Sequence, residues 1–242
     1  MRDRVRAPSL RGTCVKEDWC AWLPQEKATV FYNQVQHLEA NYAMFSVSLN
    51  EAIELRLGGR LAQAHQTVEI SGDLCRLLTE PLAGMLRALC EHAKHYGTVP
   101  NTAPLDPSNF QGLKSQRSAR LSSLLNRVLL SHRMQFLHKV SALGEMVEDL
   151  ERDFCRAASD LAEGTPWNRR GTWDAMDAGH YDLNTCLREA IVLLKSFLIA
   201  LPEDQIAAFQ NSVRVQSAPQ EAETPVRQVV IRHRRMTPIA GE

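Results

Sequence analysis

The sequence is poor in aromatic residues, at 6%, and carries no net charge, with 28 basic and 28 acidic side chains. That balance argues against a globally basic nucleic-acid binder. None of the six cysteines forms a Cys-x-x-Cys pair, which removes zinc-ribbon spacing. No apolar run reaches the roughly 20 residues that a bilayer-spanning helix needs. The longest, Ala190 to Leu201, is interrupted by Lys195 and Ser196. The N-terminal MRDRVRAPSLRG has no apolar segment behind it and does not read as a secretory signal. Catalytic signatures are missing as well: there is no Gly-x-Ser-x-Gly, no phosphate-binding glycine loop and no Rossmann fingerprint. What remains is a chain of 242 residues, 44% hydrophobic, long enough to bury a core without staples. Its cysteine usage fits reduced thiols in the cytoplasm.

What is present is a three-four rhythm of apolar side chains. After Leu23-Pro24-Gln25-Glu26, a helix-start signal, Phe31, Val35, Leu38, Tyr42, Phe45, Leu49 and Ala52 form one helical seam up to Gly58-Gly59. Leu61, His65, Val68, Gly72 and Cys75 continue in a second helix, which Pro81 should kink and Gly97 should close. Residues 98–108 hold three prolines and read as a loop. A third helix carries the seam Phe136, Val140, Leu143, Val147, Leu150, Phe154, Ala157 and Leu161, led into by Leu121, Leu125, Val128 and His132 through a stutter. Residues 164–182 read as a glycine-rich loop. Asp182 then reads as the cap of a fourth helix, Leu183 to Ala200, apolar on nearly every side. A short fifth helix runs from Pro202 to about Phe209. The fold class expected is an all-α, antiparallel bundle of four long helices plus a short fifth, with coiled-coil-like seams. Residues 1–22 read as a flexible basic segment, 23–212 as the bundle, and 213–242 as a mostly disordered, basic-ended tail. Val226–Ile231 has strand character but no partner strand.

Charge is unevenly placed along the third helix. From Pro107 to Gly144 there is no acidic residue, while Lys114, Arg117, Arg120, Arg127, Arg133 and Lys139 are present. Glu145, Glu148, Asp149, Glu151, Asp153, Asp160 and Glu163 follow. The helix dipole favours the opposite arrangement. Three readings fit: a solvated face balanced by neighbouring helices, antiparallel pairing of residues 114–163 with a second copy, or a phosphate face at Arg117, Arg120 and Arg127. The last lacks stacking aromatics, so a nucleic-acid partner is not expected.

If the loop at 98–108 joins the second and third helices as a hairpin, His65 lies near His138 and Cys75 near His132. Glu51 and Glu54 could then approach His65 across the Gly58-Gly59 turn, giving a Glu–His–His metal set. The paired Glu-x-x-His motif of di-iron bundles is missing, and neither a bound metal nor a cofactor is expected. His92 and His95 sit where the dipole favours cations, with Cys90 and Glu91 beside them. Trp167, Arg169, Arg170 and Trp173 either clamp the glycine-rich loop to the bundle or anchor a partner. The Arg232-His233-Arg234-Arg235 tail could touch an anionic partner.

The segment Tyr181-Asp182-Leu183-Asn184-Thr185-Cys186-Leu187-Arg188-Glu189-Ala190 resembles the stretch that joins the dimerisation helices of sensor histidine kinases to their ATP domain. The resemblance covers about ten residues. The family's His-Glu phosphoacceptor motif and its ATP boxes are missing here, so no functional residue is carried over. The reading expected is a non-enzymatic bundle working through protein–protein contacts, as scaffold or regulatory adaptor, and forming a homodimer. A phosphorelay module with His138 or His132 as acceptor is the alternative, and a metal-binding bundle enzyme the third.

Overall fold

The computed structural model describes residues 23–100, 132–163 and 169–217, with Arg169 and Ser217 described in their backbone only. Helices α1 (Gln25–Leu57), α2 (Leu61–Tyr96), α3 (His132–Ala162) and α4 (Arg169–Ala200) precede a 3-10 turn at Glu203–Gln205 and a short α5 (Ile206–Ser217). No strand occurs among the described residues, and the protein is an all-α bundle. Helix α1 packs on α2, α2 on α3, α3 on α4, and α4 back on α1, while α5 lies along α2.

Each neighbour runs antiparallel to the next. Gly59, at φ 77°, turns α1 into α2 in the left-handed region that glycine enters without a Cβ clash. The α2–α3 register is set by Thr79 against Glu151 and Gly72 against Ala158. Phe136 stacks on Phe197 with centroids 6.1 Å apart, and Phe154 lies beside Gly179, which fixes α3 against α4. Tyr42 meets His180, and the Lys27 ammonium donates to the Leu201 carbonyl, which closes α4 onto α1. That buried lysine satisfies an orphan carbonyl at the C-terminal end of α4, where a cation also suits the dipole.

The seams read from the sequence are the core. Phe31, Val35, Leu38, Tyr42, Phe45, Leu49 and Ala52 are all buried, as are Phe136, Val140, Leu143, Val147, Leu150, Phe154, Ala157 and Leu161. Pro81 does not end α2, which runs through it. A proline cannot donate to the carbonyl four residues before it. Here that carbonyl, Leu77 O, accepts instead from the Asn41 side-chain amide of α1 at 2.7 Å. The gap in one helix becomes a tie between two.

Three boundaries differ from expectation. Helix α4 begins at Arg169, so most of the supposed glycine-rich loop is helical and Asp182 is a fully buried residue in mid-helix rather than a cap. The rhythm Trp173, Met176, His180, Leu183, Leu187 carries the seam back through Gly171 and Gly179, because burial of one face outweighs the propensity cost of two glycines. Helix α5 continues to Ser217, beyond both Phe209 and the expected domain edge at 212. Residues 1–22, 101–131, 164–168 and 218–242 lie outside the described residues. With them lie Arg117, Arg120, Arg127, Trp167, the stutter, the possible strand and the basic tail.

Candidate functional site

The Glu–His–His set is not assembled. Level pairs on α2 and α3 are Gly72 with Ala158, Thr79 with Glu151 and Leu86 with Gly144. That register places His138 level with residue 92, not 65. The two histidines are therefore separated by about 27 residues of helix, or roughly 40 Å at 1.5 Å per residue. The hairpin expected around residues 98–108 put its midpoint near 103, whereas the observed register has its midpoint near 115. Glu51, Glu54 and His138 are exposed and His65 is half-buried. Among the described residues no group of three or more His, Cys, Asp or Glu stands close enough to hold a metal ion.

Trp173 is not a loop residue. It is buried in the first turns of α4, with the Arg56 guanidinium 5.0 Å from its ring centroid. That contact joins the C-terminal end of α1 to α4 and leaves the indole unavailable as a partner anchor. Arg170 is exposed beside it. His92 is buried too, rather than standing as a cation at the end of α2. Its ring packs against Tyr96, Phe197 and Phe209, and its Nε2 lies 3.2 Å from Gln205 Oε1. Burial holds it below the ordinary histidine range. His95 is exposed.

The interior holds a polar junction that the seam rhythm alone did not reveal. Tyr42 Oη and His180 Nε2 share a hydrogen bond of 2.9 Å, and the two rings stack at 5.4 Å. Phe45 meets the His180 ring edge-on and also contacts Phe154, at 4.9 Å. Burial pushes the Tyr42 hydroxyl up to about 12 and lowers His180, although Asp177 pulls the histidine the other way. Both groups are thus neutral near pH 7. The two groups satisfy one another inside the core and tie α1 to α4.

The outer side of the same helices is different. Residues 40–50 of α1 contain no charged side chain. Their inward face carries Tyr42, Phe45 and Leu49, but Met44 and Val47 point outward, at 48% and 67% exposure. Antiparallel α2 runs alongside, tied by Asn41 to Leu77 and by Ser48 Oγ to Ser71 Oγ at 2.8 Å. On α2, Ile70 and Leu77 are exposed and Leu74 between them is half-buried, on the stretch that these two ties hold against α1. The result is an apolar strip shared by two helices, without charge on the α1 side and flanked on the α2 side by the exposed Asp73–Arg76 pair. Monomeric proteins expose isolated apolar residues freely, and a contiguous strip is the informative case.

Helix α3 offers no such face. Its heptad seam is consumed inside the chain, and its outward positions include His138, Ser141, Glu145, Glu148 and Arg152, with Met134 as the large apolar exception. Glu148 is bound to Arg87 of α2 at 2.7 Å. A groove of about 210 Å³ lies beneath that ion pair, lined by Cys90, Lys94, Ser141 and Gly144 among others. No helix among the described residues is long and apolar enough to cross a membrane. No known protein family, characterised protein or solved structure matches this chain.

Proposed function

We propose that the protein is a non-enzymatic helical bundle that works through protein–protein contacts, and that its contact surface is the outer α1–α2 strip. The observation that carries this reading is the exposure of Met44 and Val47 on the uncharged stretch 40–50 of α1, with Ile70 and Leu77 exposed on the antiparallel α2. Removing such a strip from water gains roughly 25 cal/mol per Å² of apolar area, a gain that the isolated chain forgoes. A second copy is the proposed occupant. The α1 face at residues 40–50 carries no charge, and Asp73 and Arg76 of α2 are paired with each other, so the strip meets its own copy across a two-fold axis with little like-charge opposition. Self-association through residues 114–163 is less well supported, because the described part of that segment spends its seam on α2 and α4. A scaffold or adaptor role in the cytoplasm belongs to this proposal, with Cys75, Cys90, Cys155 and Cys186 all present as thiols.

Light scattering on the full chain at tens of micromolar tests it. The expected mass is about twice 27.2 kDa, falling to a single chain in the Met44→Glu, Leu77→Glu double variant. A wild-type monomer under those conditions removes the self-association proposal.

One observation favours a second reading. His138 is exposed on α3 beside half-buried Lys139, the setting a phosphoacceptor histidine requires. Acid-labile phosphate at His138 after incubation with a small phosphoramidate would support it, and a mass unchanged by that treatment would remove it.

A further inference from the structure

The α2–α3 register brings two thiols together. Cys75 is fully buried on α2, and Cys155 is half-buried on α3 directly opposite. The register that pairs Thr79 with Glu151 and Gly72 with Ala158 sets Cys75 level with Cys155. The Cys155 Sγ also lies 3.7 Å from the Gly72 carbonyl, which it reaches as a donor when protonated. The helices come close here because small residues stand between them: a Cβ placed on Gly72 would meet the Ala158 Cβ at 3.4 Å.

The surroundings distinguish the two. The Cys75 thiol and then the Arg76 guanidinium hold Cys155 below the ordinary thiol range, although burial opposes them. Cys75 is driven the other way, by the neighbouring Cys155 thiol and by burial, and it is the fully buried member of the pair where Cys155 is half-buried. Glu151 faces the pair and opposes thiolate formation, but its Oε2 accepts a 2.6 Å hydrogen bond from Thr79 Oγ1. Arg76 itself is paired with Asp73 at 3.7 Å and is half exposed, so it sits between the site and solvent.

We propose that Cys75 and Cys155 form a peroxide-reactive thiol pair, in which Cys155 takes the oxygen and Cys75 resolves it as an interhelical disulfide. In the first step the Cys155 thiolate attacks one peroxide oxygen. An S–O bond forms, the O–O bond breaks, and the departing hydroxide takes a proton to leave as water. In the second step the Cys75 sulfur attacks the Cys155 sulfur. The S–S bond forms, the S–O bond breaks, and the Cys75 proton leaves with the hydroxide as a second water. Two thiols are oxidised and one peroxide is reduced to two waters. The inference stands apart from the protein–protein reading.

Hydrogen peroxide added in equimolar amount to the reduced full-length protein tests it, followed by denaturing alkylation and tryptic mapping. The expected result is peptide 61–76 joined to peptide 153–156 within one chain, with the loss of two hydrogens and of alkylation at both cysteines. Before oxidation, Cys155 of the native protein should alkylate at least about tenfold faster than Cys75. In Cys75→Ser the oxidised species should stop at a Cys155 sulfenic acid that dimedone captures. Full alkylation of Cys75 and Cys155 after peroxide, or a cross-link that joins other cysteines or two separate chains, would overturn the proposal. The wild-type map decides the matter even if the variant does not fold.

Discussion

Helix α1 shows two unlike sides over one uncharged stretch. Between Glu39 and Glu51 its inner side places Tyr42, Phe45 and Leu49 in the core, and its outer side leaves Met44 and Val47 in water. The inner side is accounted for by the fold: its rings have named neighbours, and Asn41, Tyr42 and Ser48 are bonded to Leu77, His180 and Ser71. The outer side contributes little to a single chain. The same composition therefore serves stability on one face and remains unspent on the other, and that contrast is the ground for assigning the outer face to a contact.

The contrast can be broken most forcefully from inside. Phe45→Ala opens a cavity among Tyr42, Phe154 and His180, and the expected cost is roughly 3–5 kcal/mol in denaturant unfolding. A loss within half a kcal/mol would mean that the core is not packed as described. Asn41→Ala leaves the Leu77 carbonyl unpaired at the point where Pro81 has no N–H to give. The expected cost is about 1–3 kcal/mol. Pro81→Ala restores a backbone donor to that carbonyl, so the double variant should recover much of the loss, and purely additive costs would refute the tie.

A pH series sharpens the same comparison with a smaller effect. His180 has its folded-state pKa lowered from 6.5 by burial. Below 6.5 the unfolded chain binds a proton that the folded one refuses, so stability rises with pH in that window. The contribution is complete above about pH 6.5 and is lost as the pH falls through the lowered value. His92 acts in the same direction. Thermal melts from pH 7.5 to 5 should decline more steeply in the wild type than in His180→Gln, and parallel slopes would contradict the neutral Tyr42–His180 pair. On the outer face the smallest change in stability is expected. Met44→Glu and Leu77→Glu should each stay within about 0.5 kcal/mol of the wild type in unfolding, while abolishing association. A large destabilisation would place those side chains in the fold instead.

Much of the architecture was legible because an apolar stripe at helical spacing has few uses other than burial. Every seam position read on α1, and on α3 from Phe136 to Leu161, is buried, whereas His132, read on the lead-in to the α3 seam, is exposed; both glycine turns fall where the rhythm stopped: Gly59 and Gly97 take positive φ. Polar interruption hid the rest. His180 and two glycines broke the stripe that begins at Trp173, so the start of α4 read as a loop. Register was the harder loss, since a seven-residue repeat looks the same after any slip by a heptad, and the join between α2 and α3 set the midpoint wrongly. With it went the neighbours across that interface: the seam showed that Cys75 was buried, but not that Cys155 stood opposite. The outer strip was hidden for a different reason. An exposed methionine and a buried one are written with the same letter, and only the packing separates them.

The most direct test is photo-cross-linking from p-benzoylphenylalanine placed at Val47, which is two-thirds exposed. The account predicts a covalent dimer whose cross-linked peptides come from α1 or α2 of the second copy. A chain that stays single after irradiation, or that cross-links only through α3, would contradict it.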